Sequence, residues 1–239
     1  MTLMLHAGAQ PVDYEDLRGL ATPEATETHV PIPHYRVVDL VAHALGYFGH
    51  EVVDRAFGVT PDGMRFFGVL TLKSPYTGYG DVVGLRNSHD KKFPIGIGFG
   101  SKVFVCDNLA LVAEHVIKRK HTANAKRDLP GLIGEIVEPL QLAREKQHQQ
   151  LLTYQETSLT ELQADHAIMT MFRAGILNVQ RIADVEKQWQ EPDYDWGDRT
   201  AWRLFNAATF VLSGKVLETS QATPKLHKII DGICRPLAA

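Results

Sequence analysis

The stretch "PIGIGFGSK" at residues 94–102 decides between a phosphate-binding loop and a β-strand. A Walker-type loop needs four residues between its first glycine and a Gly-Lys pair, and a dinucleotide fingerprint needs G-x-G-x-x-G before a helix. Neither register is present, and the following "KVFVC" is typical of a strand. Strict alternation places Ile95, Ile97 and Phe99 on one face and leaves the glycines on the other. The sequence therefore predicts a strand with one smooth face.

Glycines on that face have an energetic cost. Each glycine inside a strand costs roughly 0.5–1 kcal/mol relative to alanine. Gly96, Gly98 and Gly100 together imply that something lies close to this backbone. We expect a helix at residues 35–48 or a C-terminal helix there, with a bound partner as the alternative.

Strand signals also surround this stretch. Residues 51–73 form two β-branched and aromatic runs that flank Asp62-Gly63, a pair that permits a tight reversal. Residues 81–88, "DVVGLRNS", lead through a polar turn into the glycine strand. The first half of the chain is therefore predicted to form an antiparallel sheet built from hairpins.

Helical signals fill the second half of the chain. The predicted boundaries are Pro130 and Pro139 for a divided helix, Ser158 and Gly175 for the next, Asp198 and Gly214 for another, and Thr223 for the last. We predict an α+β protein, with an antiparallel β-sheet in the N-terminal half and a helical C-terminal half. Residues 1–33 are predicted as an irregular arm, 34–128 as the sheet region, and 129–239 as a helical region packed as one unit with the sheet.

Composition narrows the function classes. The 239 residues carry a net charge of −3, which argues against a strongly basic nucleic-acid binder and leaves only a local patch. Neither a signal peptide nor an apolar run of ~20 residues is evident, so we expect a cytoplasmic protein with no membrane association. The eleven histidines show no metal-ligand spacing, and no cofactor motif is present, so neither a metal nor a cofactor is expected.

The turn before the glycine strand collects polar residues. It contains Arg86, Asn87, Ser88, His89, Asp90, Lys91 and Lys92. Consecutive Ser88, His89 and Asp90 do not suit a hydrolase triad, whose members converge from separate segments. The alternatives are a turn in which Asn87 and Asp90 bond their own backbone, or a polar recognition surface.

A second basic stretch follows the glycine strand. "HVIKRKHTANAKR" at residues 115–127 contains Lys118, Arg119, Lys120 and His121. If these side chains continue a surface that includes Lys102, Lys91 and Lys92, the combined patch suits a phosphate backbone. A solvated basic face is the alternative.

The stretches "GLRNSHDKKFPIGIGFGSKVFVCDNLAL", "IKRKHT" and "DRTAWRLFNAATFVLSG" resemble phage/plasmid-like proteins of the domain of unknown function 932 family. The resemblance implies an origin in phages, prophages or plasmids, and it supplies no catalytic residues. The motif positions that it implies are Asn87, Ser88, His89, Asp90, Cys106, Asn108 and Thr122, together with Arg86, Lys120 and His121.

From charge placement and this resemblance we expect a non-enzymatic, DNA-associated accessory protein that binds single- or double-stranded DNA. Its expected contacts are Lys118, Arg119, Lys120, His121, Arg86, Lys91, Lys92 and Lys102. A distant, fold-level likeness to phage single-strand annealing proteins implies recombination and a homo-oligomer. The alternative is a counter-defence or regulatory factor that binds host or phage proteins through its acidic surface and tryptophan cluster, and a hydrolase ranks last.

Overall fold

Six strands form one antiparallel sheet and lie side by side in chain order. They are β1 (Gln10–Val12), β2 (Val52–Val59), β3 (Arg65–Leu72), β4 (Tyr79–Ser88), β5 (Ile95–Val103) and β6 (Leu109–Arg119). Each strand pairs with its sequence neighbour, so no crossover connection is needed. The predicted antiparallel sheet is confirmed.

The computed structural model describes residues 8–76, 79–103, 109–212 and 222–235, with backbone alone for 102, 103 and 109–116. The described helices are α1 (Tyr14–Gly19), α2 (His34–Tyr47), α3 (Ala125–Val137), α4 (Leu140–Glu156), α5 (Glu161–Arg173), α6 (Val179–Gln190), α7 (Ala201–Val211) and α8 (Ala222–Cys234). Six of them follow the sheet, which confirms the α+β class. Within the described ranges, no helix has the length and apolar character required to cross a bilayer.

The hairpin between β2 and β3 turns where the sequence predicts. Gly63 has a φ of +71°, a left-handed conformation that glycine adopts without steric strain. The backbone N–H of Thr60 donates to the Arg65 carbonyl over 2.9 Å, and the N–H of Met64 donates to the Asp62 carboxylate over 3.1 Å. Local turn chemistry therefore fixes the register of this hairpin.

The apolar face of β5 belongs to the main core of the sheet. Ile95, Ile97 and Phe99 are at most 2% exposed and cluster with the buried valines of α2 and the buried aliphatic residues of α3. The stripe that predicted α2 faces this cluster. Helices α2 and α3 thus cover one face of the sheet.

The glycine face of β5 has a different neighbour. The expectation that α2 covers it is wrong, since α2 packs on the opposite, apolar face. At Gly96, an added Cβ would lie 2.7 Å from Nε and 2.8 Å from Cγ of Arg86. Arg86 stands opposite Gly96 in the β4–β5 register, so its side chain lies flat across the glycine. The missing side chain at Gly96 therefore makes room for an arginine from the adjacent strand.

The N-terminal region contains regular structure that the sequence analysis does not predict. Within residues 1–33, β1 pairs with β2 and adds an edge strand to the sheet. Helix α1 follows, and the carboxylate of its N-cap, Asp13, accepts from the backbone N–H of Asp16 over 2.7 Å. Residues 26–32 then pack against the end of β6, where the N–H of Val30 donates to the His121 carbonyl over 3.1 Å.

Two helix starts lie two residues beyond the predicted caps. Helix α5 is capped by Thr160 instead of Ser158, and α7 by Thr200 instead of Asp198. The reason is an isolated antiparallel bridge between Ser158 and Thr200, which holds both segments extended before the helices begin. The predicted end at Gly175 is confirmed, with φ +71°, whereas Gly214 lies outside the described residues.

Prolines divide the middle of the chain. Pro139 separates α3 from α4, as predicted. Pro130 lies inside α3, which begins five residues earlier at Ala125, so the predicted start at Pro130 is wrong.

Buried polar contacts join the helical half to the sheet. Arg144 of α4 donates through Nε to the Asp81 carboxylate of β4 over 2.7 Å, and both side chains are at least nine-tenths buried. A second guanidinium nitrogen donates to the Lys73 carbonyl over 2.7 Å. Tyr79 of β4 extends into the core of the helical half, where Trp202 and Phe205 are also buried. The two halves therefore share side chains across their boundary.

Candidate functional site

A pocket of about 430 Å³ lies at the end of the sheet where β5 begins and β6 ends. Three separate segments form its walls. The lining residues are Thr28 and His29, then Lys91, Lys92, Phe93 and Pro94, then Lys120, His121 and Thr122. The pocket therefore combines residues from the N-terminal region with both basic stretches.

The turn between β4 and β5 fixes the lysine side of the pocket. The N–H of Lys92 donates to the Ser88 hydroxyl over 3.1 Å and to the Asp90 carboxylate over 3.2 Å. Lys91 has a φ of +64°, a left-handed conformation that costs a non-glycine residue about 1 kcal/mol or more. The prediction that Asp90 bonds the backbone of its own turn is confirmed.

Asp90 does not neutralise these lysines. Its Oδ2 accepts from Nε of Arg65 over 2.7 Å, and its Oδ1 accepts a hydrogen bond from the Ser88 hydroxyl. Partial burial opposes ionisation, but these hydrogen bonds outweigh it and lower the pKa of the Asp90 carboxyl. Within the described residues, no carboxylate forms an ion pair with Lys91, Lys92 or Lys120. All three lysines are exposed.

A buried network behind the pocket is centred on Asn87. Its Nδ2 donates to the Ile32 carbonyl over 2.8 Å and to Nδ1 of His34 over 3.0 Å. Its Oδ1 accepts from Nε2 of His121 over 2.7 Å. The N–H of Ile32 donates to Nδ1 of His121 over 3.0 Å, so this imidazole must carry its proton on Nε2. The prediction that Asn87 bonds its own turn is wrong, because its partners lie in other segments.

Two further histidines complete the cluster. Nε2 of His89 donates to the Ile32 carbonyl over 2.9 Å, and its ring stacks on His34 with centroids 4.0 Å apart. Nε2 of His29 donates to the His89 carbonyl over 3.0 Å. These bonds hold the N-terminal residues 29–32 against the β4–β5 turn, so they keep one wall of the pocket in place.

Burial favours the neutral forms of His34, His89 and His121. It lowers the pKa of His34 to about 3, with the neighbouring His89 adding to the effect. Burial also lowers the pKa of His121 to about 4 and the pKa of His89. Lys91, Lys92 and Lys120 therefore supply positive charge to the pocket at neutral pH, whereas His121 does not.

The histidine cluster is not arranged as a metal site. In the part of the chain that the structure describes, no group of three or more histidine, cysteine or acidic side chains is placed to hold a metal ion. The ring nitrogens of His34 and His121 are directed at protein partners. Ser88 bonds Asp90 while His89 bonds Ile32, so these three consecutive residues do not form a hydrogen-bonded triad.

Four of the eight predicted nucleic-acid-binding residues line the pocket, namely Lys91, Lys92, Lys120 and His121. Arg86 lies beside it, with its guanidinium carbon 5.1 Å from the ring centroid of Phe93. Lys118 is exposed on β6 opposite Gly96.

The remaining predicted residues are placed elsewhere or lie outside the description. Arg119 donates to Asp128 over 2.6 Å, so an acidic neighbour compensates its charge. Lys102 pairs through its backbone with Gly80 at the far end of β5. Cys106 and Asn108 lie outside the described residues. Three of the predicted cations, Lys91, Lys92 and Lys120, therefore meet at the pocket.

The N-terminal residues of the pocket and its network carry little local signal in the sequence. Thr28, His29 and His34 lie in or next to the predicted irregular arm, and their contacts join residues more than fifty positions apart. Phe93 and Pro94 also line the pocket, although no sequence pattern predicts them as site residues. The only local signal is the pair of histidines that flank the extended segment containing Pro31 and Pro33.

The pocket and its supporting network fall within a family match. The family described as domain of unknown function 932 matches residues 27–221, which include every lining residue. The chain belongs to this family. This confirms the resemblance carried by the turn at residues 86–92 and by the later motifs. No curated protein and no solved structure matches this family member.

Proposed function

We propose that this protein binds nucleic acid through the pocket lysines, as a DNA-associated accessory protein of a phage, prophage or plasmid. The observation that carries the proposal is the meeting of Lys91, Lys92 and Lys120 at one pocket, without an ion-paired carboxylate among the described residues. Ammonium groups placed in this way suit phosphate oxygens. The chain has a net charge of −3, so binding depends on this local concentration of charge.

Backbone geometry supports a binding role for the turn. Lys91 holds a left-handed conformation in which glycine would be more stable. Strained positions of this kind often occur at functional sites, where the surrounding structure maintains them. Here the hydrogen bonds of Ser88 and Asp90 to Lys92 maintain the turn and direct two consecutive lysines to the pocket.

We further propose single-strand binding or annealing in recombination, the role that a distant likeness to phage single-strand annealing proteins implies. An annealing protein assembles along its strand, so we propose that the protein forms homo-oligomers on DNA. Light scattering with and without single-stranded DNA tests this assembly. A particle that contains one protein chain in both conditions would contradict it.

Fluorescence anisotropy with labelled single- and double-stranded DNA tests the main proposal. Binding should be measurable at low salt and should weaken as salt rises, with a slope of roughly −0.7 per phosphate contact on a single strand. Replacing Lys91, Lys92 and Lys120 with glutamine should reduce the affinity and flatten the slope by about two. Lys225→Gln, in the first turn of α8, is the matched control and should change neither. Absence of binding at low salt would refute the proposal.

The protein-interaction alternative loses its proposed tryptophan surface. Trp189, Trp196 and Trp202 are 0%, 4% and 8% exposed, so these indoles serve as core of the helical half. A protein partner would have to use other side chains.

A further inference from the structure

We infer that the pocket holds a single nucleotide unit, with its phosphate on the lysines and its base against Phe93 and Pro94. The ligand chemistry is that of a nucleoside monophosphate, either free or at the end of a single strand. This inference rests on the proposed function for its phosphate contacts, and it adds the size and the base-binding wall of the site.

The shape of the site favours one unit over a length of strand. A volume of about 430 Å³ is within the range of roughly 300–1,000 Å³ that is typical of small-molecule sites. Segments from the N-terminal region, the β4–β5 turn and the end of β6 line it.

Positive charge is concentrated at the same place. Lys91 and Lys92 come from the β4–β5 turn, and Lys120 comes from the segment that follows β6. Arg119, the next basic residue, is directed to Asp128. A phosphate in the pocket could therefore contact lysines from both segments, and Thr28 and Thr122 add hydroxyl groups to the lining.

The apolar wall is held in a fixed position. The Phe93 ring has the Arg86 guanidinium 5.1 Å from its centroid and the Phe67 ring 5.5 Å away. Arg86 is itself laid across Gly96, so the absence of a side chain at Gly96 helps to place this wall. Aromatic side chains bind bases through stacking without requiring a particular sequence.

The two histidines that line the pocket are anchored by hydrogen bonds. His121 makes hydrogen bonds through both ring nitrogens, and His29 is tied to the His89 carbonyl. These imidazoles are therefore positioned before a ligand arrives, which reduces the ordering that binding requires.

Isothermal titration calorimetry on the full chain tests the inference with three probes. The probes are thymidine monophosphate, inorganic phosphate, and a short oligothymidylate with or without a 5′-phosphate. Phe93→Leu should weaken nucleotide binding about fivefold or more and leave phosphate binding unchanged. Lys120→Ala should weaken both about tenfold, and the control Lys225→Ala should weaken neither. Circular dichroism and urea midpoints confirm that each variant is folded.

The outcomes distinguish a free nucleotide from a strand end, and they distinguish failure of the pocket inference from failure of the proposed function. If the nucleotide displaces the oligonucleotide and the 5′-phosphate tightens strand binding, the pocket holds a strand end. If the nucleotide binds and DNA does not, the pocket inference stands for a free nucleotide and the nucleic-acid proposal is overturned. If DNA binds but saturating nucleotide does not displace it, the inference is wrong and the proposed function stands. If neither binds, both are overturned.

Discussion

Replacement of Asn87 by alanine removes the centre of the buried network and should strongly destabilise the fold. Asn87 is fully buried and makes three hydrogen bonds through its side chain. The Ile32 carbonyl would keep its bond from His89, so two groups lose a partner outright: Nδ1 of His34 and Nε2–H of His121. Each buried polar group left without a partner costs about 1–3 kcal/mol. The expected loss in the free energy of unfolding is therefore about 4 kcal/mol.

Urea denaturation measures this loss directly. With an m-value of roughly 2–3 kcal/mol/M, the midpoint should fall by about 1–2 M. Asn124→Ala is the matched control, because Asn124 is exposed and makes no side-chain capping bond at the start of α3. Its effect should stay within about 0.5 kcal/mol. If Asn87→Ala shifted the midpoint no more than this control, the network would not be a significant source of stability.

The nearly isosteric Asn87→Asp separates hydrogen bonding from volume. Aspartate keeps an acceptor for His121 but cannot donate to Nδ1 of His34 or to the Ile32 carbonyl. Protonated His34 could donate to the new carboxylate, so the pKa of His34 in the folded variant should rise from its value of about 3. The stability gap between this variant and the native chain should therefore narrow as pH falls from 7 to 5. A gap that widens would contradict the assigned proton positions.

Three further predictions concern the same framework. Between pH 7.5 and 5, His34 and His121 should together lower the free energy of unfolding by about 4 kcal/mol, about 2 kcal/mol each. Their folded pKa values, about 3 and about 4, lie below the unfolded value of 6.5, so this stability is full above pH 6.5 and is lost as the unfolded chain takes up protons. Flat urea midpoints over this range would refute this prediction. Arg144→Ala leaves a buried carboxylate without its partner and should cost about 3–5 kcal/mol by urea denaturation, whereas a loss below about 1 kcal/mol would mean that the carboxylate is solvated or neutralised in the variant. Gly96→Ala should destabilise the native chain by about 1 kcal/mol through its clash with Arg86, but it should be neutral or stabilising beside Arg86→Ala; equal effects in both backgrounds would show that the two residues are not coupled.

Local patterns were sufficient to predict the hairpins and most helices. The alternation at residues 94–102, the Asp62-Gly63 turn and the break at Pro139 each depend on neighbours in sequence, and each is confirmed. The caps at Ser158 and Asp198 failed for a non-local reason, because these two segments pair with each other through the bridge between Ser158 and Thr200. A propensity rule applied to either segment alone contains no information about the other.

The site was predictable only in its charged part. Lysines at 91, 92 and 120 stand out in sequence because runs of basic residues are local features. The partners of Asn87 do not stand out in the sequence, since Ile32 and His121 lie 55 and 34 positions away. The turn chemistry expected of Asn87 was a reasonable local alternative, but the packing of the N-terminal segment on β4 offered it better partners in the folded chain.

The buried network around Asn87 holds one segment that lines the pocket, so a change in the network should alter both ligand affinity and fold stability. Asn87 and His89 fix Ile32, and the same segment carries Thr28 and His29 into the pocket wall. A ligand that contacts this wall binds the folded chain and not the unfolded one, so at a hundred times its Kd it should stabilise the fold by about 2.7 kcal/mol. Asn87→Ala removes hydrogen bonds that hold this wall, so it should weaken ligand binding although every pocket lysine is still present. Unaltered affinity in a variant that is folded but destabilised would show that the pocket is formed by the turn and β6 alone.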